Sequence, residues 1–186
     1  FLLTSLNNTM NKLLSTPVIS NLAYILTGMY LYTQGYPLAI ALSSIFLGIV
    51  SGIYHYHYSN FTLALDWIGM YAVFSYPTVA VFTGIGLVAT LFWALITAMS
   101  ILIHSMHPDK RYYILAAIIG GYILGMIHNL YLRELLHVLF IYSVAFTSWM
   151  VGRKITEIHE DGHFHALWHL TTAYGIIVIT EYLQNC

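Results

Sequence analysis

Charged side chains are scarce in this chain of 186 residues. Lys, Arg, Asp and Glu together make up 7% of the sequence, whereas 59% of the residues are hydrophobic. Soluble domains carry about 25% charged residues, so this chain has too little charge to cover a surface that faces water. The composition therefore excludes an ordinary soluble fold and predicts an integral membrane protein.

Two further absences narrow the chemistry. The only cysteine is Cys186, which excludes an internal disulfide framework and a thiolate metal cage. The formal net charge is −1 and there is no long basic run, so nothing indicates nucleic-acid binding. No Asp or Glu precedes Asp66.

Long apolar stretches, by contrast, are abundant. A membrane-spanning helix needs about 20 apolar residues, and reading for such stretches gives seven, separated by short segments that carry glycine, proline, asparagine or charge. The predicted spans are 17–35, 37–58, 61–82, 84–104, 112–130, 134–152 and 163–183. We expect an all-α, polytopic membrane protein, with residues 1–186 forming one domain as a seven-transmembrane-helix bundle. Sixteen tyrosines and four tryptophans, many near the ends of spans, suit the water–lipid interface.

The few basic residues are unevenly distributed between the two sides of a seven-span arrangement. Only Arg133 falls on one side. Those on the other side are Lys12, Lys110, Arg111, Arg153 and Lys154. Because cytoplasmic loops carry the excess of Lys and Arg, this bias predicts a cytoplasmic N-terminus.

Five polar residues form the candidate site. Residues four apart lie on one face of a helix, which pairs His165 with His169 in the last span and Ser51 with His55 in the second. Asp66 follows near the start of the third span. In a seven-span arrangement all of them lie near the cytoplasmic face, about 5–15 Å inside the membrane boundary at 1.5 Å per residue.

Three imidazoles that converge on one point suit a metal ion. Three histidine ligands with a fourth position left for water are typical of catalytic zinc. Since no Met or Cys ligand accompanies them, we expect Zn²⁺ rather than copper or iron, bound by His55, His165 and His169.

The two remaining residues admit more than one role. Asp66 either orients a ligand histidine or acts as general base toward water. Ser51 either hydrogen bonds to the water or the developing oxyanion, or simply bonds to a backbone carbonyl one turn earlier.

The other histidines have simpler interpretations than metal binding. His57 and His163 point away from His55 and His165 and are expected to face headgroups or water. His128 and His137 fall at the opposite membrane face, and His104 is expected to have a capping or surface role, as is His107.

Two pairs of glycines spaced four apart are typical of close helix packing, either within the bundle or in a dimer. These glycines are Gly48 with Gly52, and Gly121 with Gly125.

In these residues the chain resembles the CREST superfamily of seven-span membrane hydrolases, which includes alkaline ceramidases, adiponectin-type receptors and GPI-anchor lipid remodelling proteins. The shared motifs are a Ser-xxx-His near the end of the second span, an Asp in the third and a His-xxx-His in the seventh. In this chain they are Ser51 and His55, Asp66, and His165 and His169. The spacing from His55 to Asp66 is similar to that of the ceramidase and GPI-remodelling branches.

The resemblance implies that the three histidines bind zinc and that Asp66 and Ser51 assist hydrolysis of a lipid amide or ester. The run Ser20-Asn21-Leu22 in the first span is also similar to ceramidases. The chain departs from them in two ways. It lacks the early acidic residues that form a calcium site in alkaline ceramidases, and its charge bias predicts the opposite orientation in the membrane.

The sequence thus predicts a zinc-dependent intramembrane lipid hydrolase, ceramidase-like in the first instance, whose partner is a membrane lipid: ceramide, a phospholipid or a lysolipid. The main alternative is a receptor or membrane-remodelling protein in which the zinc is structural. A small transporter or channel is disfavoured because no charged residue lies deep in the middle of a span.

Overall fold

The structure, a computed structural model, describes residues 16–129, 131–155 and 162–184. Within these ranges all regular secondary structure is helical, which confirms the predicted all-α class. In chain order the α-helices are α1 (Thr16–Ser20), α2 (Leu22–Thr33), α3 (Leu38–Tyr56), α4 (Asn60–Thr83), α5 (Leu87–Met106), α6 (Arg111–His128), α7 (Leu132–Ile155) and α8 (Gly162–Gln184). A single 3₁₀ turn, Pro108–Lys110, leads into α6.

Six of these helices, α3 to α8, have 18 or more residues and follow the corresponding predicted spans closely, whereas α2 has 12 residues. By length and composition, four helical segments of the described chain are apolar enough to cross a membrane: Leu38–Tyr56, Leu87–Met106, Pro108–His128 and Leu132–Val151. Helices α2, α4 and α8 do not meet that criterion. The structure therefore supports four membrane-spanning helices, and the prediction of seven goes beyond what it supports.

The first predicted span, 17–35, contains two helices in the structure, because the helix is interrupted at Asn21. Both side chains at the break bind the carbonyl oxygen of Pro17: Ser20 Oγ donates to it at 2.9 Å, and Asn21 Nδ2 at 2.8 Å. Side chains that occupy a backbone acceptor in this way compete with the regular helical ladder. The break separates the short α1 from α2 and turns α1 toward α8.

The boundary between α4 and α5 also differs from the prediction. Gly84 and Gly86 have φ angles of 72° and 151°, a region that favours glycine. The second of the two helices therefore begins at Leu87, later than the predicted residue 84.

Helix α4 is the centre of the bundle and packs against α3, α5, α6 and α8. Its polar side chains face other helices: Ser75 Oγ lies 2.9 Å from Thr97 Oγ1, and Thr78 donates to the carbonyl oxygen of Ile118 at 2.9 Å. These buried hydroxyls lower the mean hydropathy of α4. Helix α8 is similarly enclosed, since it packs against α1, α2, α4 and α7.

Glycine permits close helix packing within this chain. A Cβ at Gly48 would lie 2.9 Å from the carbonyl oxygen of Asn21, and one at Gly121 would lie 2.9 Å from Thr78 Cγ2. Both contacts are internal to the bundle, which supports intramolecular packing for these two positions.

The sidedness prediction rests partly on residues that the structure does not cover. Lys12 lies outside the described residues, and so do the side chains of Arg153 and Lys154. Lys110 is exposed, and Arg111 is half-buried.

Candidate metal centre

Three histidines from two helices converge at one end of the bundle. His55 comes from the last turn of α3, and His165 and His169 come from the first turns of α8. Each offers one ring nitrogen to a cluster in which these atoms all lie within 4.8 Å of one another. Among the described residues this is the one group of three or more His, Cys, Asp or Glu that has this geometry.

The rings meet edge to face around a common point. The Nε2 atoms of His55 and His165 are 3.0 Å apart, and the centroids of the His165 and His169 rings are 4.5 Å apart. At Zn–N distances of about 2.0–2.1 Å and tetrahedral angles, two ligand nitrogens are about 3.3 Å apart. The nitrogen of His55 and that of His165 are thus close to the separation that a shared ion requires.

Contacts with the first helix determine which nitrogen of His169 carries a hydrogen. Its Nδ1 lies 2.8 Å from Ser20 Oγ, and the ring also hydrogen bonds to the carbonyl oxygen of Pro17. A carbonyl only accepts, and the Ser20 hydroxyl donates its single hydrogen to that same carbonyl. Nδ1 of His169 is therefore the donor, and Nε2 keeps its lone pair for a metal ion. Partners of this kind orient metal-binding histidines.

His55 lacks a comparable support in the described part of the chain. Its Nδ1 is buried and has no hydrogen-bond partner. The ring is instead held by aromatic neighbours, with the centroid of Tyr54 at 5.0 Å and that of Tyr58 at 6.1 Å.

Ser51 and Asp66 form a pair beside the three histidines. The Ser51 side chain is buried, one turn before His55 on α3, and its hydroxyl hydrogen bonds to the Asp66 carboxylate of α4. Since a carboxylate only accepts, Ser51 is the donor. Asp66 is not part of the three-histidine cluster; it is connected to the candidate metal centre through Ser51, which lies one turn before His55.

The donor set fits a divalent ion. Three imidazoles meet in an apolar interior, where their neutral, metal-binding form is the less costly one, and one of them has its tautomer fixed by Ser20. The three histidines that the sequence singled out are thus close enough to hold one metal ion. The sequence indicates Ser20 only through the resemblance to ceramidases, because the contact of Ser20 with His169 depends on the interruption of the helix at Asn21.

An apolar cavity of about 140 Å³ lies between α4, α6, α7 and α8. Its lining includes Phe74, Tyr142, Phe146 and Trp168. Trp168 precedes His169 in the sequence, so the cavity and the histidine cluster share the first turns of α8.

Among the remaining histidines, the expectation for His104 is wrong. It is buried, and its Nδ1 lies 2.9 Å from the hydroxyl of Tyr71, whereas a capping or surface role was predicted. His57, His107 and His163 are exposed. His137 pairs with Tyr182, with 2.6 Å between Nδ1 and the hydroxyl oxygen.

A scan against protein-family models finds no family that matches this chain. A search of curated proteins likewise finds no match.

Proposed function

We propose that this chain is a zinc-dependent intramembrane hydrolase that cleaves an amide or ester bond of a membrane lipid. The observation that carries the proposal is that three imidazoles, able to bind a metal ion in their neutral form, lie close together beside Ser51 and Asp66 at one end of a bundle of apolar helices. The motifs that resemble the CREST superfamily are the same residues. In this proposal the chain crosses the bilayer seven times, once through α1 and α2 together and once through each helix from α3 to α8, and the site lies near the cytoplasmic face.

The three histidines would hold the ion, with Ser20 keeping His169 in the tautomer that leaves Nε2 free. Zinc in such a site polarises a carbonyl and lowers the pKa of water toward about 7. Copper and iron are less suitable, because hydrolysis needs no change of oxidation state.

Asp66 is assigned the role of general base. Its carboxylate adjoins the cluster and accepts a proton from the attacking water. Ser51 donates its only hydrogen to Asp66, so we assign it the task of holding the carboxylate in position, in preference to binding the oxyanion. The apolar cavity beside Trp168 is suited to part of an acyl chain.

Metal analysis of the purified protein tests the zinc assignment. We expect about one equivalent of zinc in the wild type and loss of it in the double variant His165→Ala/His169→Ala, because a single remaining histidine holds zinc poorly. The matched control is His57→Ala, which removes an exposed imidazole close to His55. Zinc content that stays at the wild-type level in the double variant would contradict the assignment.

The variant Asp66→Asn tests whether the metal is catalytic or structural. The amide keeps the size of the side chain but cannot accept the proton, so we expect retained zinc and fold, with turnover lowered by about 10²–10⁴-fold. Hydrolysis of ceramide, and next of phospholipid and lysolipid esters, is followed by mass spectrometry of the extracted lipids. If the wild type binds zinc but cleaves none of these lipids, the alternative, a metal that only joins α3 to α8 in a receptor or remodelling protein, becomes the better account.

A further inference from the structure

A guanidinium without an anionic partner lies at the same end of the bundle as the histidines. Arg111, the first residue of α6, places its Cζ 5.5 Å from the ring centroid of Trp67 and 5.2 Å from that of Tyr112. The two rings contact each other edge to face, with their centroids 5.0 Å apart. Aromatic faces are attractive to a guanidinium, and together they hold this one against the bundle.

The charge of Arg111 is not neutralised within the described chain. Its Nε is buried and has no hydrogen-bond partner, and no carboxylate of the described residues lies within ion-pair distance of it. The neighbouring cation differs, since Lys110 is exposed and lies 3.9 Å from the Asp109 carboxylate. Arg111 is half-buried, so its guanidinium has lost part of its hydration without gaining an anion in exchange. An external anion that reaches the exposed part of the guanidinium would supply the missing partner.

The backbone at Arg111 is also held in place. The Tyr71 hydroxyl donates to the carbonyl oxygen of Arg111 at 3.4 Å, and it lies 2.9 Å from Nδ1 of the buried His104. These contacts join α4, α5 and α6 behind the guanidinium.

Arg111 is close to the candidate metal centre. The Tyr54 side chain is near both the Asp66 carboxylate and the Arg111 guanidinium, and its ring lies 5.0 Å from that of His55. Trp67, against which the guanidinium stacks, is the residue next to Asp66. An anion held at Arg111 would therefore lie beside the site of hydrolysis.

We propose that Arg111 binds the phosphate group of a membrane lipid, so that the preferred substrates carry a phosphate near the bond that is cleaved. This inference rests on the proposed function in one respect, namely that the bound lipid is a substrate. The planar guanidinium offers two parallel N–H donors to a phosphate, and lipid phosphates lie at the depth where the cytoplasmic ends of the helices meet the interface.

Equilibrium binding tests this directly, in a maltoside detergent that carries no phosphate. Native mass spectrometry compares ceramide 1-phosphate with ceramide, which have the same chains and differ only in the phosphate. We expect the wild type to prefer the phosphorylated lipid by about tenfold or more. Arg111→Gln should abolish the preference, and Arg111→Lys should restore only part of it.

Two comparisons make the result decisive. Lys110→Gln removes the same charge one residue away and should leave the preference unchanged, while unchanged ceramide binding by Arg111→Gln shows that this variant is folded. A preference that survives in Arg111→Gln overturns the proposal. The last comparison uses inorganic phosphate in large excess. If inorganic phosphate binds as tightly as the phosphorylated lipid, the site is one for a soluble anion, and the assignment of a lipid phosphate is overturned.

The outcome is separable from the proposed function. The double variant His165→Ala/His169→Ala should keep the preference for the phosphorylated lipid, since Arg111 does not contact those rings. If the wild type lacks zinc or turnover but shows the preference, the hydrolase proposal fails while the phosphate site stands.

Discussion

Ser20 lies 149 residues before His169 in the chain, yet its hydroxyl determines how that histidine is oriented. The hydroxyl accepts from Nδ1 of the ring and donates to the carbonyl oxygen of Pro17. An imidazole that is fixed in this way presents Nε2 to a metal ion without first having to reorient. Histidine ligands commonly depend on such a partner, and its removal lowers metal affinity by about 10–100-fold.

We therefore expect Ser20→Ala to lower zinc affinity by about 10–100-fold while the helices remain formed. Competition with a chromophoric chelator measures the affinity, and circular dichroism checks the fold. Ser44→Ala is the matched control: Ser44 is also buried, but its hydroxyl only donates to the carbonyl oxygen of Ile40 one turn earlier. Equal affinities in the wild type and Ser20→Ala would show that the hydrogen bond does not orient the ligand.

The sequence alone predicts that some of these side chains lie close together. His165 and His169 are four apart, so their proximity follows from helical geometry alone. The meeting of His55 with them follows from a topology in which the end of one helix and the start of another share a face of the membrane. The contact of Ser20 with His169 has no such signal, since it requires the chain to break at Asn21. The burial of His104 was missed for a similar reason, because it depends on Tyr71 in another helix.

Helices α2 and α3 approach each other so closely that only glycine fits at two positions of their contact, Gly28 and Gly48. A Cβ at Gly48 would lie 2.6 Å from Ile25 Cγ1 and 2.9 Å from the carbonyl oxygen of Asn21. The second of these is a backbone atom, so relief requires the helices to separate. Asn21 adjoins Ser20, which means that this contact also positions the hydroxyl that supports His169.

Gly48→Ala should therefore destabilise the protein by about 1–3 kcal/mol, the usual cost of overpacking. It should also weaken zinc binding, because Ser20 moves with Asn21. Thermal unfolding in detergent and the zinc competition assay measure the two effects. Gly52→Ala is the control on the same helix, since its nearest heavy atom would be the Cβ of Asn21 at 3.9 Å, an ordinary contact. Similar stability for both variants would contradict the close packing inferred here.

The sequence predicts where the long helices begin and end better than it predicts which helices surround them. The apolar stretches of the sequence are a reliable guide to long helices, so α3 and α7 begin and end near their predicted limits. Hydropathy describes the residues of a helix and not its neighbours. Helix α4 is rich in Tyr, Ser and Thr, and these side chains turn toward other helices of the bundle, as Ser75 does toward Thr97.

At the scale of the whole molecule, three helices, α2, α4 and α8, do not meet the criterion of length and hydropathy. Helix α2 has 12 residues, about 18 Å at 1.5 Å per residue, so it would cross the membrane only together with α1. For α4 and α8, the property that falls short is hydropathy. Both are long enough: 24 and 23 residues extend about 36 and 34 Å at 1.5 Å per residue, against a hydrocarbon core of about 30 Å. Both are enclosed by other helices, and an enclosed helix need not present an apolar surface to lipid. Their polar composition is thus compatible with a central position in a seven-span bundle.

Single-cysteine labelling with a membrane-impermeant maleimide tests this arrangement in sealed vesicles, in a Cys186→Ser background. His57→Cys and Thr83→Cys flank α4, and His163→Cys and Gln184→Cys flank α8. Because each helix should cross once, we expect the members of each pair to be labelled from opposite sides, with positions 57 and 163 on the cytoplasmic side. Permeabilised vesicles provide the control for reactivity. If both members of a pair are labelled from the same side, the helix between them does not cross the membrane. Reversal of all four would keep the seven crossings but place the histidine cluster at the other face, contrary to the bias of the basic residues.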